Sequence, residues 1–147
     1  MTRRQGDKVI FPRLRITHYA VFLALVFTLV ACGGGRAGYS AEQQTVNGIT
    51  IKLEHPQQLA LLQQYELFVT LTGADGRPID GATVFMAQDM PAMPMNSNQP
   101  IGEPLGNGQY RITGVFSMDG DWRLVIHARV AGQEYAATFN QSVTPAQ

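Results

Sequence analysis

The chain has 147 residues, with eleven Lys and Arg against eleven Asp and Glu and 45% apolar residues. The zero net charge hides an asymmetry: after Cys32, only Arg36, Lys52, Arg77, Arg111, Arg123 and Arg129 face ten acids. That mildly acidic remainder has no basic patch to neutralise phosphates, which excludes a nucleic-acid-binding protein.

Five basic residues, Arg3, Arg4, Lys8, Arg13 and Arg15, precede a stretch from Ala20 to Ala31 that carries no charge. A basic opening, a short apolar run and small residues at its end make a secretory signal. The run falls short of the about 20 apolar residues that a spanning helix needs. Leu29-Val30-Ala31-Cys32 resembles a bacterial lipoprotein lipobox. The resemblance implies cleavage before Cys32 and a diacylglycerol on its sulfur, with each buried methylene contributing about 0.8 kcal/mol to anchoring. Residues 1–31 are therefore expected to be a signal peptide and Cys32 the lipidation site, the alternative being a short uncleaved membrane anchor with an incidental cysteine; either way the protein is expected to be membrane-anchored and to face the periplasm or the extracellular side. Cys32 is the single cysteine, which excludes an intrachain disulfide and thiolate metal sites further on. Gly33 to Gln44, which opens on three glycines followed by a polar stretch, reads as a flexible tether. The expected organisation is thus a tether over 32–44 and one domain over 45–147, a length suited to a single core.

The pattern after the tether is β throughout. Ile49, Ile51 and Leu53 alternate with Thr50, Lys52 and Glu54, the period of a half-buried strand. Gln57 to Gln64 has room for a single helical turn. Leu67, Val69 and Leu71 alternate with Glu66, Phe68 and Thr70, and Ala74-Asp75-Gly76-Arg77-Pro78 then supplies turn chemistry. Ala82, Val84 and Met86 face away from Thr83, Phe85 and Ala87. Met90 to Pro100, with its prolines and asparagines, is loop. Ile101 to Leu105 reads as a short edge strand limited by Pro104. Gly106-Asn107-Gly108 signals a hairpin into Gln109 to Phe116, with Tyr110 and Ile112 on one side. Asp119-Gly120-Asp121 turns the chain once more. Trp122, Leu124, Ile126 and Ala128 then oppose Arg123, Val125, His127 and Arg129. Ala131-Gly132 is a two-residue turn before Gln133 to Val143. Seven short strands separated by turns predict an all-β, immunoglobulin-like antiparallel sandwich, with Trp122 in the core and its indole N–H in need of a partner.

Several of these segments resemble a known family. Gly76-Arg77-Pro78-Ile79-Asp80-Gly81-Ala82-Thr83-Val84 is followed by a methionine-proline loop, then by Gly108-Gln109-Tyr110-Arg111 and by Phe116-Ser117-Met118-Asp119-Gly120-Asp121-Trp122-Arg123-Leu124. Together they resemble the YtkA-like domain, whose relatives include the FixH proteins, over roughly Ile49 to Val143. The resemblance implies an extracytoplasmic β-sandwich, often associated with copper handling or cytochrome oxidase assembly. A FixH protein keeps a transmembrane helix where this chain has a lipobox.

The chemistry-bearing feature of the domain is Met90-Pro91-Ala92-Met93-Pro94-Met95. Thioether sulfur is soft and neutral and suits Cu(I). Three sulfurs spaced by two and three residues on a proline-stiffened loop have room to converge on one ion. In a sandwich of this type the loop lies near the turn that carries Met118. Met90, Met93, Met95 and Met118 are therefore the candidate Cu(I) ligands, with His55 or His127 as a further donor. The same residues also suit packing, because methionine is a flexible apolar filler. Met86 is in phase with Val84 and reads as core, His127 reads as a solvated strand residue, and His55 reads as exposed at a strand end. No nucleophile elbow, acid–base pair, calcium loop or phosphate cradle is present in the sequence, so a non-enzymatic protein is expected. Two functions remain open. One is capture and transfer of Cu(I) to a copper-protein or oxidase-assembly partner. The other is an accessory module that uses the Met-Pro loop as a protein-contact patch.

Overall fold

A strand buried on one side must turn every second side chain inward, and the alternations along this chain leave two apolar faces that need each other. The computed structural model describes residues 35–93 and 98–145. Nine strands form: β1 (Tyr39–Val46), β2 (Ile49–Pro56), β3 (Leu59–Ala60), β4 (Gln64–Thr72), β5 (Thr83–Asp89), β6 (Glu103–Gly106), β7 (Gln109–Val115), β8 (Gly120–Val130) and β9 (Gln133–Thr144). They make a five-stranded sheet, β1-β2-β4-β7-β6, and a four-stranded sheet, β3-β9-β8-β5. This is the all-β sandwich that the alternation predicts. Every named pairing is antiparallel except the short β3–β9 contact, which is parallel. The signal segment, Cys32 and Met95 lie outside the described residues, and among those described no helix is long and apolar enough to cross a membrane.

The core lies between the sheets. Ile51, Leu53, Leu67, Val69, Leu71, Tyr110 and Ile112 come from one sheet; Val84, Met86, Leu124, Ile126, Ala128, Ala137 and Phe139 come from the other. Each large aliphatic or aromatic side chain buried this fully contributes about 1.5–3 kcal/mol relative to exposure. Two hairpins are tight two-residue turns. Asn47-Gly48 joins β1 to β2 with φ of 47° and 82°, and Ala131-Gly132 joins β8 to β9 with φ of 48° and 83°. Positive φ at both positions matches the right-handed twist of the flanking strands.

Two strands exceed the seven expected, and both follow from signals other than alternation. Tyr39–Val46, whose first six residues fall in the tether that the sequence predicts over 32–44, is strand β1, paired residue for residue with β2. Its side chains are mostly exposed, so no period of two marks it. Backbone pairing and a side-chain bridge hold it instead: Gln44 Oε1 accepts from the Thr138 N–H at 3.2 Å while Gln44 Nε2 donates to the Thr138 carbonyl. The ordered domain thus begins before residue 45. Leu59–Ala60 forms β3 rather than a helical turn, and Leu62 follows at φ 59°. Similarly, Asp119-Gly120-Asp121 is only half turn, because β8 already starts at Gly120.

Two polar-face assignments also change. Phe68, on the outer face of β4, is buried under the segment before β1. The Arg36 guanidinium stands 3.5 Å from the Phe68 ring centroid and 3.4 Å from Glu54 Oε2, and Tyr39 tilts against Phe68 at 5.7 Å. A cation over an aromatic face contributes about 0.5–2 kcal/mol, depending on how far water is displaced. Lys52, 3.0 Å from Glu54 Oε1, completes the neutralisation of that buried carboxylate. His55, expected to be exposed, is buried as well. Its Nδ1 lies 2.8 Å from the Pro56 carbonyl and its Nε2 3.3 Å from Glu42 Oε1, an oxygen that also accepts from Gln141 Nε2 at 2.7 Å. Both changes have one origin: β1 and the residues before it cover surface that a tether would have left bare.

The crossing from β4 to β5 is fastened by Tyr110. Its hydroxyl donates to the Ile79 carbonyl at 2.9 Å and accepts from the Ala82 N–H at 3.0 Å. Replacing Tyr110 by Phe leaves both backbone groups without that partner, at a cost of about 1–3 kcal/mol. A urea titration of Tyr110→Phe is expected to show a lower midpoint with an unchanged slope; an unchanged midpoint would mean that the crossing is held by other contacts.

Candidate functional site

The methionine loop leaves β5 at the end of the sandwich where β4 starts, β7 ends and β8 begins. An aromatic row fills that end from inside. Tyr65 and Phe116 have ring centroids 4.5 Å apart, and Phe116 and Trp122 are 5.1 Å apart. Tyr65 donates from its hydroxyl to Gln88 Oε1 at 3.0 Å, which ties β4 to the penultimate residue of β5 before the loop. Burial pushes the Tyr65 phenol up to about 12, since the tyrosinate would lose its hydration there.

Each methionine has a distinct place. Met86 is fully buried, in the core position that its phase with Val84 predicts. Met90 is also a core residue, 8% exposed. Its Cε lies 3.1 Å from where a Cβ on Gly120 would stand, so the terminal methyl rests on backbone left bare by the glycine. Met93 is 54% exposed, on a turn closed by its own N–H donating to the Met90 carbonyl at 3.0 Å. Met118, on the connection from β7 to β8, is partly buried against the core. Its carbonyl accepts the Trp122 indole N–H at 3.1 Å, which supplies the partner that the buried indole requires.

The start of the loop therefore packs against the start of β8. Met90 is packed on Gly120, two residues from Met118, and Met93 stands outside Met90 on the same turn. Beside them is a depression of about 360 Å³, lined by Pro91, Asp121, Trp122, Asn140, Gln141 and Ser142. No run of the sequence marks it. Asp121 and Ser142 are cross-strand partners, as are Trp122 and Gln141, so the register of β8 against β9 creates it.

The histidines serve other ends. The nitrogens of His55 face Pro56 and Glu42, as described. His127 lies on the outer face of its sheet, stacked on Phe85 at 4.6 Å with the rings 2° from parallel, and its Nδ1 is 2.9 Å from Glu134 Oε1. Arg129 Nε donates to the other Glu134 oxygen at 2.8 Å, and its guanidinium lies 5.1 Å from the Phe85 ring. Hydrogen bonds from Arg129 first, then from His127, hold the exposed Glu134 carboxyl below its ordinary range. Among the described residues, no three His, Cys, Asp or Glu side chains group to hold a metal ion. The chemistry concentrated at this end is thus that of thioethers and an indole, beside the exposed carboxylates of Asp119 and Asp121.

Residues 43–127, from within β1 to the outer part of β8, match the family model described as YtkA-like. The chain belongs to the YtkA-like family. The match includes Met90, Met93, Met95 and Met118 within its span, along with the crossing fastened by Tyr110. No curated protein matches the chain. Within this YtkA-like domain, two elements at the methionine end have no counterpart in the sequence reading: the Tyr65–Gln88 bond and the depression beside Trp122. Tyr65 stands one place before the alternation begins at Glu66 and Leu67, and its in-phase relation to Leu67 is the signal that places it inward.

Two titrations follow. For Tyr65, the folded value of about 12 exceeds the ordinary 10.0. Its contribution is whole below about pH 10 and is lost as pH rises through about 12, because the unfolded chain gains the tyrosinate first. Urea midpoints taken from neutral to strongly alkaline pH are expected to fall less steeply for Tyr65→Phe than for the wild type; parallel profiles would place the phenol in solvent. For Glu134, the sign is opposite: its contribution is present above the ordinary carboxylate range and is lost as pH falls through the lowered folded value. Carboxyl titration by NMR is expected to move Glu134 upward in Arg129→Gln, and an unmoved midpoint would mean that the Arg129 bond does not form in solution.

Proposed function

We propose that this YtkA-like protein is an extracytoplasmic lipoprotein, held to the membrane through Cys32, that binds Cu(I) through methionine sulfurs at one end of its sandwich. The ligands are Met90, Met93 and Met95 of the loop, joined by Met118. The observation that carries this reading is the contact of Met90 with Gly120, the first residue of β8, which stands two residues after Met118 in the chain. Neutral thioethers hold the soft ion without losing a proton, so capture needs no pKa adjustment. Met93, exposed on its turn, is the ligand through which an approaching acceptor exchanges. The acceptor is a copper protein or a component of oxidase assembly that offers stronger ligands. No catalytic role is assigned to any residue.

A second reading uses the same end as a contact patch for an envelope protein, favoured by the exposure of Met93. Substitution separates the two. Leu conserves the volume and apolarity of Met at a cost below about 1.5 kcal/mol per core site, so it keeps a contact patch but removes sulfur. In an anaerobic competition titration against a chromophoric Cu(I) chelator, the wild type is expected to bind one equivalent. The variant Met90→Leu/Met93→Leu/Met95→Leu is expected to lose it while keeping its urea midpoint within the cost of the core substitution. Undiminished binding in the folded variant would end the methionine assignment. Absence of binding in the wild type would leave the contact patch as the function of this end.

A further inference from the structure

The chain enters the domain at the methionine end. Tyr39, the first residue of β1, is opposite Pro56, the last of β2; Gln64, the first of β4, is opposite Val115, the last of β7; and Gly120, the first of β8, is opposite Val143. The same end carries three exposed large apolar side chains: Leu62 at 70%, Met93 at 54% and Val115 at 46%. Leu62 is tied to the residue that follows Val115, since its N–H donates to the carbonyl of Phe116 at 3.0 Å. The other two exposed large apolar residues among those described, Ile101 and Leu105, flank or lie on edge strand β6. The opposite end is made of the Asn47-Gly48, Gly106-Asn107-Gly108 and Ala131-Gly132 turns.

The entry is short and clamped. Three peptide links separate Cys32 from Gly35, which gives a reach of at most about 11 Å. The next residue, Arg36, is fixed against Phe68 and Glu54. Its carbonyl accepts the Tyr39 N–H at 3.0 Å, and the Gly38 carbonyl accepts the Gln57 N–H at 3.0 Å, so the entry is tied to both β1 and the end of β2. A nine-residue strand such as β4 is about 30 Å long. An anchor on Cys32 therefore has enough reach to set one end of the sandwich on the bilayer and too little to present the other end.

We infer that the methionine end faces the bilayer, with Leu62, Val115 and Met93 against the lipid headgroup layer to which Cys32 is fixed. The inference rests on the reading of Cys32 as acylated. Exposed Asp119 and Asp121 lie at the same end, and its Arg123 is engaged by Asp89, so the surface suits zwitterionic lipid and is repelled by anionic lipid. Any acceptor that meets Met93 must then reach it at the membrane surface.

The test uses the full acylated chain in phosphatidylcholine vesicles. Because Cys32 is blocked by its lipid, single nitroxide labels can be placed through Leu62→Cys, Val115→Cys, Asn107→Cys and Ala131→Cys. Relaxation by a nickel chelate carried on lipid headgroups is expected to be several-fold stronger at positions 62 and 115 than at 107 and 131. The contrast is expected to shrink in Arg36→Ala, to vanish when roughly ten Gly and Ser residues are inserted after Gly34, and to weaken when phosphatidylglycerol is added. Equal relaxation at both ends, or stronger relaxation at 107 and 131, overturns the orientation. Contrast found only in native membranes assigns the patch to a membrane protein and overturns the lipid assignment. Intact mass of the membrane fraction separates the two failures: an unmodified Cys32 overturns the anchoring as well, whereas an acylated chain without contrast overturns the orientation alone.

Discussion

The position of everything at the methionine end depends on the phase of β5, and that phase depends on Tyr110. The ring of Tyr110 is buried in the core while its hydroxyl holds Ile79 and Ala82, the residues that carry the chain from one sheet to the other. From Ala82, alternation turns Val84 and Met86 inward and leaves Phe85 outside on His127. A slip of one residue would invert every one of these side chains. The loop would then leave the sheet with Met90 facing away from Gly120, and the two methionine-bearing segments would not meet. A buried phenol outside the loop thus sets where the loop starts.

Much of this was legible before the structure. Strands whose two faces differ in polarity, such as Ile49 to Glu54 and Trp122 to Arg129, declare themselves by period, and their inward residues are the ones that the core contains. What stayed hidden lacked that contrast. β1 exposes nearly all of its side chains, so only its pairing with β2 and the Gln44 bridge make it a strand. The Asn47-Gly48 pair that opens its hairpin was the available signal, since that dipeptide supplies positive φ at both turn positions. Phe68 and His55 read as exposed from the sequence because the segment that buries them carries no alternation to mark it as ordered.

The candidate site was legible in part. The six-residue methionine cluster is plain in the sequence, and a sandwich of this type places the loop and the turn that carries Met118 at the same end. Which methionine is core and which is accessible was not, because both kinds occur within one turn: Met90 seals the end of the core and Met93 stands outside it. A methionine that fills the core presents the same flexible thioether as one that stands outside it, so residue type alone does not separate the two. The depression beside Trp122 arises from cross-strand register between β8 and β9, a relation between residues about twenty apart that no local pattern encodes.

The bridge from Gln44 to the backbone of Thr138 has a bearing on how such sandwiches stay apart from one another. β9 is paired on one side by β8, and on its other side β3 covers only Val143 and Thr144. The remaining rim of N–H and carbonyl groups would template a strand from a neighbouring molecule, and a side-chain amide that mimics a peptide group blunts it in the middle. A polypeptide begun at residue 45 would lack that amide, the cover over Phe68 and the partner of β2. It would present two open rims and a bared aromatic face, the ingredients of edge-to-edge self-association.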